Sequence, residues 1–306
     1  MKTKESICCY SLLIAGVFLM LTSSCSKSDS APSTDQKVSY LAAGCYGDLI
    51  VFQLDKITNQ LSYTNESTNI IGSATLALTT NPNLTRIYQT TQNANTYYAM
   101  ELSEKMFVTT FPAGNAQNKF CFGVYTGQNY DNFTMTDLAG KYLFTVYDDN
   151  NTQVVYGGYN LDATGILNWS YGPSDPSLFN ESVHFFGNNS TWSKSTLHSE
   201  RIISSFNGTN YEGIIYPGKI MLIDNGVGNG FTLGIKYPAA QLTQSSVAGK
   251  YEFIDITKHN ETGIGYYIIP TSGGNVSFYH KYSGLTGEGT GTLTGFASIP
   301  QIKAYY

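Results

Sequence analysis

The sequence predicts an all-β protein assembled from copies of one unit about 109 residues long. Three observations lead there. "AGKY" stands at 139–142 and returns at 248–251. Only 13% of the residues are charged, about half the share usual in globular chains, while 24 Tyr and 30 Gly take up the difference. Short runs rich in β-branched and aromatic residues alternate with turn clusters such as "YDDNNT", "NGVGNG" and "TSGGN". Exposed helices usually carry Lys and Glu on their outer face, so this composition favours strands and tight turns. Beyond the N-terminus no stretch has helical periodicity; "AAQLTQSSV" at 239–247 makes one turn at most.

The elements follow in chain order. Lys2 and Lys4 precede an apolar run, "LLIAGVFLML" at 12–21, and then "TSSC" at 22–25. A charged start, a short apolar core and small residues before a cut describe a secretory signal over 1–24. With Cys25 at the cut, this stretch resembles the bacterial lipobox, in which the cysteine thiol receives a diacylglycerol. Thr22 stands where that motif usually has leucine. "CSKSDS" at 25–30 resembles the start of Bacteroidetes-type lipoproteins, and Ser26 beside the cysteine implies delivery to the outer membrane. The facing leaflet stays open. Residues 25–37 read as a polar tether, in which "DSA" at 29–31 is similar to an O-glycosylation triplet of those bacteria.

The repeated β region covers 38–306, as units 38–136, 137–245 and a partial 246–306. The second and third units share small-Gly-Lys-Tyr, an alternating strand, a polar turn, a Tyr-rich strand, a turn at Gly165 or Gly274, and an aromatic strand. The first is fainter, with "LDKITNQLSY" answering "LDATGILNWSY". Later landmarks also return: "RIYQTTQNANTYYAM" from Arg86 against "RIISSFNGTNYEGI" from Arg201, and the segment from Lys105 against that from Lys219.

Half of this unit is close to the length of a four-stranded propeller blade. "NPNLTRIYQTTQNANTYYAMELSEKMFVTTFPAGN" from Asn81, "DLAGKYLF" from Asp137 and "YNLDATGIL" from Tyr159 resemble blades of the YVTN and lactonase-like propellers. That resemblance implies a beta-propeller of about five blades, closed by pairing 291–297 beside 38–43. The alternative is a tandem of small β-barrels or sandwiches.

Chemistry is sparse. The chain lacks the GxSxG, GxxxxGK[ST] and HExxH patterns and any CxxC, so no catalytic residue, metal or cofactor is assigned. Net charge of −5 without a basic run argues against nucleic acid as a partner. Cys45 and Cys121 are the only cysteines of the folded part, read as buried thiols, with a disulfide as the alternative. "DDNN" at 148–151 reads as a solvated turn rather than a calcium loop. Trp169, Tyr171 and Trp192 are the candidates for stacking on a sugar ring, against the simpler expectation that strand aromatics pack between sheets. The leading expectation is a lipid-anchored envelope protein of the outer membrane that binds or scaffolds an unknown glycan or protein. One alternative is a glycan-binding accessory lipoprotein. The other is a lactonase-like propeller hydrolase, whose only nominees are Asp55, Asp162, His184 and His280.

Overall fold

The computed structural model describes residues 37–102, 105–126, 133–147, 155–171, 187–216, 220–236, 244–256, 262–273, 275–282, 285–294 and 303–305. The fold is all-β, and its sheets are closed or nearly closed barrels. Contacts divide the chain into two compact units. The larger draws on 31–77 and 101–237, the smaller on 78–100 and 238–306.

The first copy supplies β1 (Lys37–Gly44), β2 (Leu49–Asp55), β3 (Gln60–Asn65), β4 (Ile70–Thr75), β5 (Ala77–Leu78), β6 (Ile87–Gln92), β7 (Asn95–Leu102), β8 (Met106–Thr109) and β9 (Cys121–Tyr125). The second supplies β10 (Gly140–Tyr147), β11 (Val155–Leu161), β12 (Ile166–Tyr171), β13 (Gly187–Lys194), β14 (Ile202–Phe206), β15 (Thr209–Tyr216), β16 (Ile220–Asp224) and β17 (Phe231–Lys236). The third supplies β18 (Gly249–Ile256), β19 (Thr262–Ile269), β20 (Asn275–Tyr282), β21 (Leu285–Thr294) and β22 (Lys303–Tyr305).

Within the larger unit, β10 to β17 form a closed up-and-down barrel of eight strands, sealed where β10 pairs with β17 from Tyr142↔Lys236 to Tyr147↔Phe231. Closure leaves no free sheet edge. The first copy runs β4-β3-β2-β1-β9-β8 in the same unit. That is the barrel's own order β13-β12-β11-β10-β17-β16, strand for strand. Inward residues fill the closed barrel. Tyr142, Phe144, Leu167, Trp192, Ile202 and Met221 form one buried cluster, with Phe144 stacked on Tyr159 at 4.1 Å between ring centroids. A barrel of eight strands is just wide enough for side chains to fill.

The smaller unit contains the β6–β7 hairpin and the sheet β18-β19-β20-β21-β22. Here Glu252 accepts hydrogen bonds from the backbone N–H of Thr85 (3.0 Å) and Arg86 (2.8 Å) and from Thr85 Oγ1 (3.0 Å). Lys250 donates to the Asn83 carbonyl and lies over the Tyr266 ring, 4.7 Å from its centroid.

The repeated "AGKY" has a physical cause. A four-residue helix, Met135–Leu138, is started by Thr134 and Asp137 in a reciprocal capping box. Gly140 at φ +141° then turns the chain into β10, and Tyr142 buries its ring and donates to the Leu138 carbonyl (2.5 Å). The third copy repeats the order: helix Gln244–Val247, Gly249 at φ +151°, β18, and buried Tyr251. Both glycines hold a backbone conformation that other residues rarely adopt. The Arg86 and Arg201 landmarks also lead into the same device. β6 and β7 turn on Asn93-Ala94, β14 and β15 on Asn207-Gly208, all four residues at positive φ, as two-residue hairpins demand.

The expected ring closure does not form. β1 is paired on both edges, by β2 and β9, while β21 pairs with β20 and β22. A strand has two hydrogen-bonding edges, so 38–43 has none left for 291–294; residues 295–297 lie outside the described residues. The strands of the second copy close on each other as one barrel instead of splitting into four-stranded blades.

Candidate functional site

Apart from Glu252 in the smaller unit, the buried charged side chains of the described residues, Asp48 and Arg201, stand in one place. It is a seam within the larger unit, where turns of the first copy meet β14 to β17 of the second. Aromatic rings line its apolar side: Phe231 stacks on Phe120 and Phe122, with centroids 6.2 and 6.4 Å away.

The first-copy side is built around Asp48, 1% exposed at the start of β2. Its Oδ2 accepts from the side-chain amides of Asn65 (2.9 Å), Asn115 (2.8 Å) and Asn118 (2.6 Å). The oxygen of each of these asparagines then accepts a loop N–H, from Thr68, Gln117 and Tyr46 respectively. One carboxylate thereby ties three loops together. A buried carboxylate without a cation depends on such donors.

On the second-copy side Arg201, 4% exposed, precedes β14. Its Nη1 and Nη2 donate to both Glu66 oxygens at 2.9 Å, and Nη1 also donates to Glu212 at 2.8 Å. Among the described residues its Nε has no hydrogen-bond partner, and Glu200 stands 3.5 Å from it. Burial opposes the guanidinium charge, but its hydrogen bonds to Glu66 and Glu212 and their negative charges outweigh that and raise its pKa. The fork-on-carboxylate geometry with Glu66 spans the seam.

Asp224 closes β16 beside the turn 224–230. It accepts the Gly226 N–H at 3.1 Å and is half-buried. Burial first, and the charges of Asp48 and Glu212 after it, push its carboxyl up to about 7, against the hydrogen bond from Gly226. The turn is seated on the first copy. Gly228 N–H donates to the Tyr46 carbonyl at 2.6 Å, and a Cβ on Gly47, at φ +88°, would strike the Gly226 carbonyl. Glycine is required there by both backbone conformation and space.

Those of the residues singled out from the sequence whose side chains are described sit elsewhere. Trp192 is 3% exposed, and its indole N–H donates to Ser204 at 2.8 Å. Its ring packs edge-on to Tyr159 in the barrel interior and leaves no face for a sugar. Trp169 pairs with Tyr159 and Tyr171 with Gly157 in the β11–β12 ladder; their side chains lie outside the described residues. Cys25, the DSA triplet, the DDNN turn and His184 also lie outside them. Asp55 accepts from the N–H groups of Ile57 and Thr58, and Asp162 from those of Thr164 and Ile166. Hydrogen bonds of these turns lower both carboxyls, which marks them as turn-formers on separate sheets. His280 on β20 packs edge-on against Phe253 on β18. Cys45 and Cys121 are buried free thiols, and burial holds Cys121 well above the usual thiol range.

Sequence reasoning missed Asp48, Glu66, Arg201, Glu212 and Asp224. Arg201 stood in view as a repeat landmark, and in a chain so poor in charge its repetition was the available signal. Comparison with known proteins gave no matching family model, no matching curated protein and no matching solved structure.

Proposed function

We propose that this chain is a lipid-anchored envelope protein that binds or scaffolds a partner through the outer surface of its β-barrels. The packed interior of the second barrel carries this reading. Its lumen is occupied by Tyr142, Phe144, Trp192 and Met221, so recognition falls to loops and outer faces. The lipobox-like "TSSC" supports the anchor, and Ser26 supports the outer membrane as destination. The hydrolase reading loses ground because Asp55 and Asp162 are engaged in their own turns. The glycan reading keeps only Trp169 and Tyr171. A five-bladed ring gains nothing from the observed strand pairing, and a barrel as the repeating unit fits the first two copies.

The anchor is tested by metabolic labelling with a fatty acid in a bacterial host. The native chain incorporates label and Cys25→Ala does not. Label retained in Cys25→Ala would overturn the lipoprotein reading.

A further inference from the structure

Three glutamates, Glu66, Glu200 and Glu212, stand around the Arg201 guanidinium, which is committed to Glu66 and Glu212, while the charges of Asp48 and Glu212 act on Asp224. The groups facing Asp224 can be named by element. From β15 come Glu212 and Tyr211, whose ring lies 3.9 Å from a Cβ built on Gly226. The turn 44–48 brings Asp48, the buried thiol of Cys45, and Tyr46, whose carbonyl accepts Gly228 N–H, and β9, packed on β16, carries the buried thiol of Cys121. On β17, Phe231 is the ladder partner of Asp224 and Thr232 donates to the neighbouring Asn225, so neither brings charge. Behind Glu212 stands Arg201, with Glu66 and Glu200.

We propose that the seam is a proton-operated joint: with Asp224 protonated the turn 224–230 stays seated on the turn 44–48, and ionisation of Asp224 loosens it. The reason is geometric. The Gly47–Gly226 approach packs the two turns backbone against backbone, and the hydrogen bond from Gly228 N–H to the Tyr46 carbonyl ties them together. An ionised Asp224 adds repulsion from both Asp48 and Glu212, and among the described residues the Arg201 guanidinium beside Glu212 is already engaged by Glu66 and Glu212. Asp48 cannot retreat, because three asparagines hold it, and Glu212 is held by Arg201. The 224–230 turn is therefore the part that yields. Its carboxyl changes state at about 7, which places the joint's midpoint near neutral pH.

Hydrogen exchange followed by mass spectrometry on the full chain tests this, with protection corrected for the intrinsic pH dependence of exchange. In the native protein, protection of peptides covering 44–48 and 224–230 should fall about tenfold or more between roughly pH 5.5 and 8, while β12–β13 peptides hold steady. Asp224→Asn keeps the shape and removes the charge, so it should stay protected at the higher pH. Equal native protection at both pH values, or a native-like fall in Asp224→Asn, would overturn the proposal. The native profile decides alone if the variant does not fold.

Discussion

Trp192 inside the second barrel and Arg201 at the seam are both almost wholly buried, yet they are held by opposite means. Trp192 carries one polar atom, satisfied by Ser204, and spends the rest of its surface on apolar neighbours. Arg201 faces three glutamates and leaves Nε without a hydrogen bond. The first arrangement is insensitive to pH and costly to truncate. The second depends on which groups carry protons. A chain with few charges has placed several of them where two barrels meet, which ties the barrels' mutual seating to pH and leaves the barrel cores out of it.

The largest effect belongs to the core. Trp192→Ala should cost about 3–5 kcal/mol in urea denaturation, because it opens a cavity and strands the Ser204 hydroxyl. The loss should be the same at every pH from 5.5 to 8, on the order of the experimental error apart. A strongly pH-dependent loss would break the contrast with the seam.

Next is Arg201→Met, which leaves Glu66 and Glu212 without their counter-charge. The cost should be about 2–3 kcal/mol, below that of a fully buried pair because both glutamate side chains are 33% exposed. Urea denaturation at high salt should recover part of it. A neutral Arg201→Met would show that the seam's geometry rests on Phe231 and its aromatic neighbours alone.

Asp224→Asn should act in the other direction. The folded carboxyl holds its proton up to about 7, whereas the unfolded one releases it near 3.8. Between those values the folded state binds the extra proton, so native stability falls as pH rises and the loss is complete above about 7. The amide should therefore stabilise the protein at pH 8 by up to ~4 kcal/mol, and by about half that after allowing for partial exposure. Near pH 4 it should change nothing. Thermal melts of both proteins across this range read the difference.

The smallest effect compares two copies of one backbone turn. Gly140→Ala and Gly249→Ala should each cost about 1–2 kcal/mol, since both glycines have positive φ. Gly140→Ala should cost slightly more, because its Cβ would press on Lys236 Cε at 2.7 Å, whereas at Gly249 no described residue lies nearer than 3.9 Å. A neutral result at one position only would separate the copies.

The strand pattern was legible in the sequence because turns and alternation are local. Asn93-Ala94 and Asn207-Gly208 announce their hairpins, and "AGKY" announces a shared helix-to-strand corner. The closure was not legible. Whether four strands stop at a blade or eight return to pair β17 with β10 depends on curvature and stagger, which no short window encodes. Asp55 and Asp162 were readable as turn residues for the same local reason. The seam was hidden because its members are spread over 48–224, and each looks like an ordinary polar residue in its own loop. Trp192 was ambiguous, since alternation on a barrel strand does not say which side is the lumen.

The contrast between core and seam rests most directly on the charge state of Asp224. A carbon-13 titration of the aspartate carboxyls, assigned by the signal missing from Asp224→Asn, reads it without any assumption about stability. The expected midpoint for that carboxyl is near 7. A midpoint near the ordinary 3.8 would contradict it, because the seam would then hold an ionised Asp224 at every physiological pH without strain.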